Sequence, residues 1–480
     1  MSHVISRCLQ PDAAARYTSS AELVADLDRL DDDGNPLPIV RRLTGRMAAA
    51  AATLVLSLLG ATWWLAREPT PTVPHEPVSV LIADFNNLAQ DKSFEGALEG
   101  ALGIAVEGAP FITAYPRTDA RKIATDLTGR PVLDEYAARL VAAREGITIV
   151  LAGTVALDAG KYHIDVTGRN ADGKELWTER RTVRSRADLL GAVAGVASDI
   201  RTTLGDTALG GRPVDTEFVT TSSLEALQNY TAGQELYAIG KFDDAVKQFE
   251  TSIAQDPKFG RAYAGLANAL FYLGRKTDAE KNWQTALSLM DQMTERERYR
   301  TQGTYFLGVA RNYEKAIDTY ETLTKQYPTD SSGLNNLAIA YFMVLNFPKA
   351  FETGRRVLDL YPKNVLFRNN YALYAMYAGD FATATRESEP LLKAPGPHPF
   401  FKIYLPPAIA AAVNNETDAA IAIYRTMAET GAQAKSLADV GLADLAIYRG
   451  RYSDAEAILE EGMKVDQSSA NSAGLAVKHV

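Results

Sequence analysis

The spacing of apolar and polar positions divides the chain into four textures. From about Ser222 to Lys464, apolar residues recur at the period of amphipathic helices, broken by short turns rich in Gly and Asn. Residues 78–207 are different. The near-continuous apolar run VSVLIADF reads as a strand, SFEGALEGALGIAVEGA as a helix and FITAYP as a second strand, with helices at DARKIATDL and DEYAARLVAAREG. Three further strands follow in ITIVLAGTVAL, KYHIDVTGRN and KELWTERRTVR, joined by Asp/Gly turns, and RADLLGAVAGVASDIRTTLG closes the unit as a helix. This order predicts a small α/β domain with a mixed sheet. Residues 47–66, MAAAAATLVLSLLGATWWLA, carry no charge. Residues 1–30 hold two short amphipathic helices, with Val4, Ile5, Cys8 and Leu9 on one face of the first and Leu23, Leu27 and Leu30 along the second. Ser19 and Glu22 give the second helix a capping-box start.

An uncharged run of twenty residues matches a hydrocarbon core of about 30 Å, so residues 47–66 are expected to form a transmembrane helix. Trp63 and Trp64 stand at its far end, Arg41, Arg42 and Arg46 before it, and Arg67 followed by Glu68 after it. That asymmetry predicts a single-pass protein of the inner membrane with its amino terminus cytoplasmic and its carboxy-terminal domains extracytoplasmic, in the periplasm. Residues 31–46 then form a basic juxtamembrane linker, and residues 67–77, with Pro69, Pro71, Pro74 and Pro77, a stiff spacer.

The helical half repeats itself. Ala245, Ala279, Ala316, Ala350, Ala384, Ala420 and Ala455 are separated by 34, 37, 34, 34, 36 and 35 residues. Turns between paired helices read Gly240-Lys-Phe242, Gly274-Arg-Lys276, Gly379-Asp-Phe381 and Gly450-Arg-Tyr452, with Asn312 and Asn346 expected to stand in for Gly at the third and fourth. Pro257, Pro328 and Pro362 end second helices. This array resembles the tetratricopeptide (TPR) repeat family, one helical hairpin per 34-residue repeat. The resemblance implies about seven hairpins over 222–464, an all-α superhelical solenoid whose first helices line a concave groove that binds proteins or peptides. A disordered tail is expected over 465–480. At the sixth position of successive repeats stand Gln302, Asn336 and Asn370, and the resemblance implies a carboxamide ladder able to bond an extended peptide's backbone. Arg261 and Arg298 at the second position and Asn268 and Tyr305 at the ninth flank that ladder. The first two repeats have Thr231 and Gly265 at the sixth position, so the ladder is short.

The run SRCLQPDAAARYTSSAELVADLDRL resembles the last two helices of eukaryotic-type Ser/Thr protein kinase domains, in which the residue matching Arg16 pairs with the Glu of an Ala-Pro-Glu motif. The sequence contains no Gly-rich loop, Val-Ala-x-Lys strand, His-Arg-Asp loop or Asp-Phe-Gly. The resemblance therefore implies a remnant of the kinase carboxy lobe, residues 1–30, in a non-catalytic part of a bacterial membrane-anchored kinase-type signalling protein. The alternative is a stand-alone exported TPR scaffold with no kinase link.

A net charge of −9 disfavours nucleic acid as a partner, because phosphate binding needs clustered Lys and Arg. One cysteine, Cys8, and five scattered histidines give no metal-ligand spacing, and no cofactor or catalytic residue is predicted. Asp84, Asn86, Asn87 and Asp91 cluster after the first strand of the α/β region, where they either meet a ligand or satisfy a turn. That region is similar in outline to the small amino-terminal α/β domains of periplasmic Tol-complex propeller proteins. The expected architecture is thus multi-domain: a single transmembrane helix, a small α/β mixed-sheet domain and a TPR solenoid.

Overall fold

The structure, a computed structural model, describes residues 1–37, 53, 55–58, 62, 76–206, 221–393, 400–469 and 471–478. They fall into two compact units, Met1–Pro74 and His75–Val480. In the first, α1 (Ser2–Cys8) and α2 (Ser20–Leu27) are short helices joined by a 3-10 turn at Ala13–Ala15. The Ser19 side chain caps α2 by accepting from the Glu22 N–H. Glu22 reaches back to the Thr18 N–H and hydroxyl at 3.0 and 2.8 Å rather than to Ser19, so only half of the expected capping box forms. Tyr17 donates to Asp26 at 2.9 Å, and Arg16 donates to the Gln10 carbonyl at 2.7 Å.

The transmembrane expectation is corrected. Among the described residues no helix is long and apolar enough to cross a membrane. Residues 47–66 lie for the most part outside the described residues. The single-pass placement, cytoplasmic on one side and periplasmic on the other, rested on that helix and falls with it.

The second unit opens with six strands and four helices: β1 (Val78–Ile82), β2 (Asn86–Asn87), α3 (Ala97–Val106), β3 (Ile112–Ala114), α4 (Arg117–Thr128), α5 (Glu135–Glu145), β4 (Ile149–Asp158), β5 (Lys161–Arg169), β6 (Glu175–Val183) and α6 (Leu189–Thr203). The sheet order is β3-β1-β4-β5-β6, with β2 paired to β4. β1 is parallel to β3 and β4, while β4, β5 and β6 form an antiparallel meander. Alternation along β1 explains its continuous apolar run. Val80 and Ile82 pack with α3 and α6, whereas Leu81 and Ala83 pack with α4 and α5 on the other face.

Seven helical hairpins follow among the described residues. They are α7/α8 (Leu224–Ala238, Phe242–Gln255), α9/α10 (Gly260–Tyr272, Lys276–Ser288), α11/α12 (Glu295–Thr304, Tyr313–Gln326), α13/α14 (Ser331–Met343, Phe347–Leu360), α15/α16 (Val365–Tyr377, Phe381–Leu392), α17/α18 (Leu405–Val413, Thr417–Ala428) and α19/α20 (Ala432–Tyr448, Tyr452–Ser468). All seven repeating alanines are buried, because only a methyl group fits where the paired helices cross. Gly240, Gly274, Gly379 and Gly450 take the left-handed conformation between paired helices. At the third and fourth hairpins, however, Arg311 (φ 50°) and Leu345 (φ 60°) hold it. Asn312 and Asn346 come one residue later, each accepting from an N–H in the first turn of the next helix. Their side chains cap; their backbones do not turn.

Beyond Lys464 the chain, expected to be disordered, continues helical to Ser468 and folds back as α21 (Ser472–Lys478). The Lys478 ammonium is buried there against Asp466 and Ser436.

Candidate functional site

The α/β part is not a separate bead beside the array. The first hairpin packs on α3, and side chains from the third hairpin and from just before the fourth reach the backbone at the open edge strand, β3. Leu224, Leu227, Phe259 and Ala262 join the core on the α3 face of the sheet, and Tyr361 joins the core on the α4 face. α3 comes close enough to α7 that a Cβ at Gly100 would stand 3.2 Å from the Thr231 hydroxyl. Sheet edges left open invite pairing with other chains. Here Arg296 on α11 donates to the Glu107 and Ile112 carbonyls at 2.8 and 3.0 Å, and Thr329 to the Pro110 carbonyl at 3.0 Å.

Around that edge lies a buried ion cluster. Glu107, just past the end of α3, meets Arg300 at 2.7 Å and Arg296 at 3.8 Å. Both arginines meet Asp330, the cap of α13, at 2.6 and 2.8 Å. Burial would raise both carboxyls, but the two guanidiniums outweigh it, so Glu107 lies below the carboxylate range and Asp330 is held at about 2. A second crossing joins Tyr115, Glu145 and Asn364: Tyr115 donates to Glu145 at 3.1 Å and accepts from Asn364 at 3.4 Å. Burial pushes the Glu145 carboxyl and the Tyr115 phenol up. The Tyr361 ring stands edge-on to Tyr115 at 5.3 Å.

Between α3 and the first helices of hairpins one to three, a cleft of about 1400 Å³ remains open. Its lining includes Glu99, Thr231, Arg261 and Arg298. Glu99 is buried, its Oε1 accepting from the Phe85 N–H at 2.8 Å, and burial pushes its carboxyl up.

Of the seven residues singled out in the sequence, Arg261 and Arg298 line this cleft and the other five do not. Arg261 donates to the Thr301 hydroxyl at 3.0 Å. Asn336 donates to the Tyr320 hydroxyl at 3.0 Å, and Asn370 to the side-chain amide oxygen of Asn335 at 3.1 Å. These carboxamides already hold neighbouring hairpins together. Gln302 is out of register with them. The chain from Tyr305 to Val309 forms a π turn that inserts one residue into the hairpin. Gly233 lies seven residues before its left-handed Gly240, but Gly303, which packs on Tyr320 as Gly233 packs on Phe249, lies eight before Arg311. Thr301, fully buried, therefore takes the sixth-position place. Tyr305 sits on the π turn with its ring 5.7 Å from that of Trp283. Asn268 is half-buried on α9.

The acidic cluster after β1 serves the fold. Asp84 accepts from Arg117, Arg121 and the Leu133 N–H, and despite its burial these arginines hold it below the usual carboxylate range. Asp91 caps the turn at Ser93 and binds Arg186. Asn87 donates to the Asp91 carbonyl at 2.8 Å, while Asn86 lies exposed on β2.

A tetratricopeptide-repeat family model matches residues 230–287 and 302–365, so repeats of this type are present in the carboxy-terminal region. Similar solved structures include a tetratricopeptide repeat protein from Parabacteroides merdae, 14% identical over 54% of this chain and all of that one, with a TM-score of 0.39. Another is PilW, a type IV pilus biogenesis factor, 17% identical over 42% of this chain and 91% of that one, with a TM-score of 0.36. A third is pilF of Pseudomonas aeruginosa, 16% identical over 42% of this chain and 90% of that one, at 0.35. No curated protein matches the sequence. The matched repeats define a protein-interaction module of a generally non-catalytic fold.

Proposed function

We propose that this chain is a scaffold that holds a polypeptide segment of a partner in the cleft between its α/β part and hairpins one to three. The observation that carries this reading is the position of Arg261 and Arg298, which line a cleft of about 1400 Å³ on the first helices of the repeats. Arg298 can recognise an acidic side chain of an extended segment by charge-assisted hydrogen bonds, and Arg261 can do so by exchanging its 4.0 Å contact with Glu297. Asn336 and Asn370 extend the polar path beyond the cleft, where a partner's backbone would have to displace the bonds to Tyr320 and Asn335. Gln302, Asn268 and Tyr305 contribute less, because the cleft lining excludes them. Replacing Arg261→Glu with Arg298→Glu is expected to lower partner co-purification by about tenfold or more, with the helical circular dichroism unchanged. Unaltered co-purification would remove the cleft from the reading.

A second reading keeps the kinase resemblance of residues 1–30, with the array regulating a kinase. One observation favours it: Ile5 and Leu9 on α1 are 51% and 74% exposed, apolar positions that no described residue covers. Sequencing the DNA upstream of Met1 decides it, since an in-frame His-Arg-Asp loop would support it and a stop codon next to Met1 would end it.

A further inference from the structure

The edge of the array where paired helices turn carries a ladder of rings. Two positions build it: the second residue after each left-handed turn residue, on one hairpin, and the second residue before it, on the next. At the first junction these are Phe242 and Tyr272, stacked at 4.8 Å and 11°. At the fourth they are Phe347 and Tyr377, stacked at 5.2 Å and 29°. The third, fifth and sixth junctions have one ring each, in Tyr313, Phe381 and Tyr448, with Met343, Val413 and Thr417 at the other position. Only the second junction, among the described residues, has no ring at either position. There Lys276 and Val309 stand where the others have Phe and Tyr. A pocket of about 620 Å³ opens at that place, lined by Phe271, Lys276, Glu280, Lys281, Gln284 and Val309 among others.

We infer that this pocket takes an aromatic side chain from a partner polypeptide, which completes the ladder, with acidic residues beside it. The first and fourth junctions show what the site is shaped for, a flat ring laid against another, and here Phe271 (39% exposed) and Val309 offer the apolar floor. Charge selects the flanks. Lys276 and Lys281 are both exposed at the rim and, among the described residues, no carboxylate pairs with either, whereas Arg275 is already paired with Asp278 at 2.8 Å and Glu280 accepts from Gln284 at 2.6 Å. An aromatic residue between two carboxylates therefore satisfies both the apolar floor and the two ammonium groups. This site is separate from the cleft at Arg261 and Arg298, and neither reading needs the other.

The test uses the full chain and three synthetic peptides, acetyl-Asp-Glu-Phe-Glu-Asp-amide, its Phe→Ala counterpart and its all-Lys counterpart, with isothermal titration calorimetry for the three affinities and saturation-transfer NMR on the ring protons of the Phe peptides. Transfer to the phenyl ring of the acidic peptide is expected, with affinity for the Ala and Lys peptides lower by about tenfold. Combining Lys276→Phe with Val309→Tyr restores the stack of the neighbouring junctions, so it should leave the melting temperature unchanged or higher while abolishing the transfer. Arg261→Glu with Arg298→Glu should leave it intact. Equal binding of the three peptides, or transfer that survives the filled pocket, overturns the proposal. So does a dimer of the wild-type chain that the filled variant loses, since it would assign the pocket to a second copy.

Discussion

Glu107 is a single carboxylate on which the joint between sheet and array depends. It stands against Arg300 and Arg296, and removing its charge leaves two guanidiniums sharing Asp330 alone in a buried place. Breaking one partner of a buried ion cluster costs about 3–5 kcal/mol, so Glu107→Gln is expected to lower stability in urea denaturation by that order. The pH dependence has a definite sign. Both carboxyls are depressed in the folded state, Asp330 to about 2, so their contribution is complete above the unfolded value of about 4. It is lost as pH falls from there through the folded values. Denaturation between about pH 5 and 2 should show stability falling with acidity, with a smaller slope in Glu107→Gln; a slope unaffected by the substitution would show that the cluster is not its source. At this scale the sequence is only partly legible. Arg261 could be counted from the repeat, whereas Arg298 was counted to a second position that the inserted residue gives to Glu297, and Arg296 and Arg300 differ from it only through a strand edge some 184 residues away. What was visible is that the third repeat opens on ERERYR, where three arginines crowd one helical turn and a half.

The hairpins themselves were readable because each needs one small residue where its helices cross, and alanine supplies it at all seven. The turns were readable only where glycine marks them. Leu345, 71% exposed and left-handed, carries a backbone penalty that no contact requires. Leu345→Gly is therefore expected to stabilise the array by about 1 kcal/mol, seen as a higher thermal midpoint. The register slip in the third hairpin had no marker. A π turn adds one residue without Gly-Pro punctuation, so counting back from Ala316 lands on Gln302 instead of Thr301. The close approach of Gly303 to Tyr320 checks this register: a Cβ there would lie 2.5 Å from the ring, so Gly303→Ala should cost about 1–3 kcal/mol. A neutral result would mean that the ring is elsewhere.

For the molecule as a whole, the sequence separates an α/β part from a helical array by texture, and both textures are present. It does not indicate that they share cores. Tyr361 belongs to the array by sequence and to the α4 face of the sheet by packing, because an aromatic residue at the end of a second helix is uninformative until its neighbour is known. The docked α/β part covers one edge of the first helices, and its α3 walls the cleft there. The central claim is that a partner segment enters there. A photo-crosslinking side chain placed at residue 298, in the cleft, and separately at residue 250, exposed on α8, tests it most directly. Crosslinked partner peptides are expected from position 298 and none from position 250. Equal crosslinking from both, or crosslinks from position 250 alone, would contradict it.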